Sequence, residues 1–154
     1  MEDKSLIRKS LLEKVADLHA VPDGAYNIRE NSTSAGRRST DSIKIENKEG
    51  APGIVVTVAD GTKNQSVHIP VIITETGITE TVYNDFFIGE NCDVLIVAGC
   101  GIHNSGEEKS AHDGVHSLKV GKNSRVRYVE KHYAEGEGSR SMAPRMTVEL
   151  AEGA

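Results

Sequence analysis

The chain has 154 residues, 37% hydrophobic and 27% charged, with a net charge of −5. That suits one domain, able to bury roughly 70% of its unfolded surface, and it lacks the basic face on which nucleic-acid binders depend. No apolar run approaches the ~20 residues of a membrane-spanning helix. The acidic start, Met1-Glu2-Asp3, has no signal-peptide core behind it. Cys92 and Cys100, without a secretory signal, read as free thiols of a cytoplasmic protein and not as a disulfide framework.

Residues 4 to 18 predict a helix, because Ile7, Leu11, Val15 and Leu18 recur at helical spacing. Pro22 and Gly24 stop it, so residues 1–22 form an N-terminal helical segment. Segment 30–41 is rich in Gly, Ser and Arg and reads as a loop, with Arg37-Arg38 solvated in it. From residue 43 the pattern changes to period two. Ile43 and Ile45 alternate with charged residues, and Ile54, Val56 and Val58 share a face, as do Val67, Ile69, Val71 and Ile73. Pro70 cannot donate to a ladder, which predicts an edge strand or a bulge there.

The second half carries an internal repeat. Ile88-Gly89-Glu90-Asn91-Cys92-Asp93-Val94 aligns with Val120-Gly121-Lys122-Asn123-Ser124-Arg125-Val126, and Leu150-Ala151-Glu152-Gly153-Ala154 begins a third copy. Each copy is a turn followed by an apolar strand. Units of this size bury their apolar faces by stacking on one another. The expected fold is therefore mainly β: a right-handed parallel β-helix over residues 23–154, preceded by a short N-terminal α-helix. Because the third copy has only begun at Ala154, the β-helix is expected to be truncated at that end or covered there by a partner.

Four of the six histidines and both cysteines fall between residues 92 and 132. Cys100, His103, His112 and His116 make the pattern C-x2-H-x8-H-x3-H. Thiolate and imidazole are ligands for iron, zinc or copper, and intervals of two and three residues recur in metal sites. These four are the candidate metal ligands. The competing reading makes the cysteines small core residues and His103 and His112 solvated neighbours of a polar excursion, with Asp113-Gly114 a turn. Glu130 and His132 share parity and read as a polar pair on one strand face. No phosphate-cradling loop ending in Gly-Lys-Ser/Thr occurs, so the chain is not expected to hydrolyse ATP.

Several of these runs, taken together in order, resemble the SufB/SufD family, particularly its shorter single-scaffold type. They are Gly24-Ala25-Tyr26-Asn27-Ile28-Arg29-Glu30, Gly36-Arg37-Arg38-Ser39-Thr40 and Val82-Tyr83-Asn84-Asp85-Phe86-Phe87-Ile88-Gly89, followed by Val97-Ala98-Gly99-Cys100-Gly101-Ile102-His103-Asn104. His112-Asp113-Gly114-Val115-His116, Val120-Gly121-Lys122-Asn123 and Arg127-Tyr128-Val129-Glu130-Lys131-His132-Tyr133 complete the series. The resemblance implies a non-enzymatic scaffold on which an iron–sulfur cluster is built and passed to apo-proteins. It also implies as partners a SufC-type ABC ATPase and another SufB/SufD-like subunit or a second copy, with no nucleic acid and no membrane. Family members are roughly twice as long, and no family cluster ligand transfers to a numbered residue here.

Two other readings compete. A cupin-like metal-dependent β-barrel enzyme would use His103, His112, His116 or His132 with Glu130. Cupins present His-x-His, however, and the spacing His112-x3-His116 is read as placing the two imidazoles on opposite strand faces. A carbohydrate-binding or carbohydrate-cleaving β-helix would want exposed aromatic faces, and the chain has no Trp.

Overall fold

A computed structural model describes residues 3–16 and 23–154. It is mainly β with one N-terminal helix, and its strands stack as a β-solenoid of about three turns. The helix α1 (Lys4–Ala16) is followed by β1 (Ala25–Glu30), β2 (Thr33–Arg38), β3 (Ile43–Asn47) and β4 (Gly53–Val58). Then come β5 (Lys63–Ile73), β6 (Thr79–Ile88), β7 (Asp93–His103), β8 (Ser110–Val120), β9 (Arg125–Glu135), β10 (Arg140–Met142) and β11 (Arg145–Leu150).

From β4 onward the chain alternates between two sheets. One has the order β2-β1-β5-β7-β9 and the other β10-β8-β6-β4-β3, with β11 also paired to β8. All ladders between successive coils are parallel. Among the described residues only the hairpins β1–β2 and β3–β4 are antiparallel. This stacking is not the architecture of a cupin barrel.

The internal repeat is the coil. Ile88 pairs with Val120, Val94 with Val126, and Val120 with Leu150. The short corner that follows β4, β6, β8 and β11 of the second sheet uses a left-handed residue at one equivalent place: Gly61 (φ 77°), Asn91 (55°), Asn123 (57°) and Gly153 (73°). Glycine and asparagine are the residues that reach this region at least cost. The backbone N–H of Gly61, Asn91 and Asn123 each donates to the next coil's corner, at Glu90 O, Lys122 O and Glu152 O.

Period-two residues fill the interior. Ile54, Val56, Val58, Phe86, Ile88, Leu118 and Val120 from one sheet meet Val67, Ile69, Val94, Ile96 and Ala98 from the other in one buried cluster. Strand β7 is apolar at both parities because its outer face is covered as well. Leu11, Leu12, Val15 and Ala16 of α1 pack there on Ile28, Ile72 and Val97. Gly99 and Gly101 admit the helix: a Cβ on Gly99 would lie 2.6 Å from Val15 O, and one on Gly101 would lie 3.2 Å from Leu11 Cδ2. Leu18, expected in the helix, lies outside the described residues.

Three expectations are corrected. Segment 30–41 is not a loop: Thr33–Arg38 is a strand, antiparallel to β1, because its polar residues can still close a backbone ladder. Pro70 is in an interior strand, since β5 lies between β1 and β7. The β1–β5 ladder pairs Tyr26 with His68 and Arg29 with Val71 but skips the proline level without a register shift, so the missing N–H is accommodated by a gap in one ladder. Asp113-Gly114 is not a turn but part of the regular strand β8.

Candidate functional site

Buried polar side chains, Asn84, His112 and His116 among them, lie between the apolar cluster around Phe86 and a smaller one formed by Val71, Ile73, Cys100 and Ile102. Following one inward column down the second sheet, Ile54 pairs with Asn84, Asn84 with His116, and His116 with Met146. In a neighbouring column Glu80 lies under His112. In the first sheet Val71 pairs with Cys100 and Cys100 with His132, while Ala98 pairs with Glu130. Cys100, His112 and His116 therefore come together inside with the Glu80 carboxylate, bordered by half-buried Glu130 and exposed His132 of β9. His112 and His116 point to the same side, since residues four apart in a strand share a face; the expectation of opposite faces was incorrect. Both are buried. Gly114 between them makes this possible, because a Cβ there would lie 2.7 Å from His116 Nε2 and 3.7 Å from His112 Nε2.

His103 is not part of this group. Its Nδ1 lies 3.0 Å from Glu135 Oε1, beside Tyr133, whose hydroxyl donates to Glu135 Oε2, and Lys14, whose ammonium donates to the Tyr133 hydroxyl. An odd number on β7 puts it on the helix-bearing outer face, opposite to Cys100.

The polar groups around the cavity are connected. Arg29 donates to the Glu80 carboxylate from Nη2 at 2.8 Å and from Nε at 3.2 Å. His112 Nδ1 lies 2.8 Å from Glu80 Oε1, and since a carboxylate only accepts, that nitrogen carries the proton. Burial alone would raise the Glu80 carboxyl, but hydrogen bonds from His112, Arg29 and Ser32 together with the Arg29 charge outweigh it and bring its pKa to about 2. Glu130 is the second hub. The Tyr128 hydroxyl donates to its Oε1 at 3.3 Å, and His116 Nε2 and His132 Nε2 lie 3.6 Å from its Oε1 and Oε2. His116 also stacks on Phe86, with ring centroids 6.0 Å apart. Burial lowers the His116 pKa; the Glu130 charge opposes this, and His112 and His132 reinforce it.

Cys100 is 2% exposed. Burial raises its thiol pKa, and the negative charges of Glu80, Glu130 and Asp113 raise it further. It is a protonated thiol at neutral pH, in contrast to the low-pKa, accessible thiols of reactive cysteines. Cys100, His112, His116, Glu130 and His132 border a cavity of about 10 Å³, room for about one water molecule. As they stand, no group of three or more His, Cys, Asp or Glu side chains among the described residues is arranged to hold a metal ion.

Cys92 has a different role. It sits in the corner column between Thr62 and Ser124, and its Sγ–H donates to Ala59 O at 3.1 Å. The Ser124 hydroxyl accepts from Cys92 N at 2.9 Å and donates to Gly89 O at 2.6 Å. Thr62 makes the same bond to Ala59 O at 2.7 Å. The thiol is a corner clasp, interchangeable in geometry with a hydroxyl.

Spacing among Cys and His did not reveal Arg29, Glu80 or Tyr128. The repeat offset carries the signal for Glu80: the shift that aligns Ile88 with Val120 also aligns Glu80 with His112. Among the described residues no helix is long and apolar enough to cross a membrane. In comparisons with known proteins, the chain matches no family model, no curated protein and no solved structure.

Proposed function

We propose that the chain is a non-enzymatic scaffold of the SufB/SufD type, acting in iron–sulfur cluster assembly in the cytoplasm. The observation that carries this reading is the ladder pair Cys100–His132, which sets a buried thiol beside an exposed imidazole in the next strand, with His112 and His116 lining the same small cavity. These are ligands that iron accepts. The solenoid is the fold that the family resemblance implies. Its interior has space for about one water beside the thiol, which leaves no room for turnover of an organic substrate and none for a cluster until the coils open.

In this reading the cluster is cargo. Loading requires the coils around Cys100 to open and the thiol to lose its proton to the incoming metal, since metal binding displaces protons from its ligands. The conformational work would come from a SufC-type ABC ATPase, with a second SufB/SufD-like subunit or a second copy alongside, and apo iron–sulfur proteins as recipients.

The test is anaerobic reconstitution with ferrous iron and sulfide of the parent chain, Cys100→Ser and Cys92→Ser, each checked for its β-type circular dichroism. The expected result is cluster absorption and bound iron in the parent and in Cys92→Ser, and loss of both in a folded Cys100→Ser. Equal loading in all three, or none in the parent, would overturn a role of Cys100 as ligand in this chain.

A further inference from the structure

Outside the thiol–imidazole group, one recess combines a cation lacking a counter-charge with an apolar floor. It lies at the first coil, where the hairpins β1–β2 and β3–β4 meet the two sheets, and has a volume of about 350 Å³. That is within the ~300–1,000 Å³ typical of small-molecule sites. Its polar side is formed by Arg37, Asn27 and Asn47, and its floor by Ile54, Ile69 and Val71.

The charges around it do not cancel. Arg29 is paired with Glu80 at 2.8 Å, and Lys48 with Asp85 at 2.7 Å. Arg37 has only amide partners: its Nε donates to Asn27 Oδ1 and its Nη2 to Asn47 Oδ1, both at 2.8 Å. Among the described residues no carboxylate faces it. Two amide oxygens hold the guanidinium in position without neutralising it, and its remaining N–H donors have no acceptor among the described residues. The recess thus has one net positive charge, presented by a pre-oriented planar fork. Such a fork binds a carboxylate bidentately.

We propose that this recess is a binding site for a small organic monocarboxylate, with its carboxylate on Arg37 and its apolar body over Ile54, Ile69 and Val71. A single uncompensated cation matches a single anionic charge. The aliphatic floor selects a ligand with an apolar body over a bare inorganic anion. The site goes beyond the scaffold reading and stands independently of it, because Cys100 and the histidines are not involved in it.

The probe is phenylacetate, titrated into the full chain by calorimetry and by methyl NMR of Ile54, Ile69 and Val71. Its neutral isostere phenylacetamide and inorganic phosphate are run alongside. The expected result is saturable phenylacetate binding with a dissociation constant of about 1 mM or tighter and shifts at those methyls. Phenylacetamide and phosphate should each bind at least about tenfold more weakly, as loss of one charge-assisted hydrogen-bonded contact implies. Arg37→Gln should lose phenylacetate by a similar factor and Arg37→Lys by less. No phenylacetate binding at about 10 mM overturns the site. So does equal affinity for the amide, a comparison made on the unmutated chain, or unchanged binding by a folded Arg37→Gln. Phosphate binding tighter than phenylacetate overturns the carboxylate assignment.

Discussion

Arg29 and Glu80 belong to opposite sheets and join them across the solenoid interior, with Arg29 Nη2 2.8 Å from Glu80 Oε2. Glu80 in turn accepts from His112 in the next coil. One carboxylate therefore connects β1, β6 and β8. Its folded-state pKa of about 2 lies below the ordinary 4.5. A carboxyl with a depressed folded pKa contributes stability that is fully present above its unfolded pKa and is lost as pH falls through the folded one. The chain should therefore lose stability between about pH 4.5 and pH 2. The Glu80 share is on the order of 2 kcal/mol after solvent screening. Urea unfolding across that range checks it, and Glu80→Gln should flatten the dependence while lowering stability at neutral pH.

His116 should titrate below the ordinary imidazole value of 6.5, since burial disfavours its charged form. Glu130→Gln should push it lower still, because the Glu130 charge is what favours the imidazolium. An NMR titration of the imidazole resonances measures both. A value above 6.5 would contradict the buried geometry.

Neither Cys92 nor Cys100 should react with a thiol reagent in the folded chain at mildly alkaline pH, since both are free and buried. Both should react at once in denaturant. Rapid native labelling of Cys100, located by peptide mapping, would show that its coil opens readily.

Gly99→Ala should loosen the helix from the sheet. The added methyl meets Lys131 O at 2.5 Å and Val15 O at 2.6 Å, both backbone atoms that cannot swing aside. Overpacking of this kind costs about 1–3 kcal/mol. The expected readout is a lower thermal midpoint together with faster proteolysis within α1, while the solenoid keeps its β-type circular dichroism.

At the corner, Asn123 holds φ 57°. Asn123→Ala should cost about 1 kcal/mol, because a Cβ without a compensating local hydrogen bond is disfavoured in the left-handed region. Asn123→Gly, which matches Gly61 and Gly153 in the same column, should be nearly neutral. Thermal melts of the two variants separate a backbone cause from loss of a side-chain contact.

The sequence by itself determined the coil. Period-two apolar residues from Ile43 onward and the shift that carries Ile88 to Val120 specify strands that stack in register, because a slipped register would turn every inward side chain outward. It also determined the Glu130–His132 pair, which needs only shared parity. Segment 30–41 was not legible, because the ladder it joins is made by backbone groups and its side chains carry no alternation. Pro70 was misread for a related reason: a missing N–H excludes one hydrogen bond, and only the neighbouring strand shows that the ladder can leave a gap there.

The site was legible as residue types but not as a group. Chain spacing put His103 next to Cys100, while the strand pleat sent the two to opposite faces. The stacking of coils brought Cys100 to His132 and Glu80 to His112. Burial and the charges beside it then decided what the thiol is, a protonated interior group, because the cost of a charge depends on what surrounds it in space and not on its neighbours in the chain.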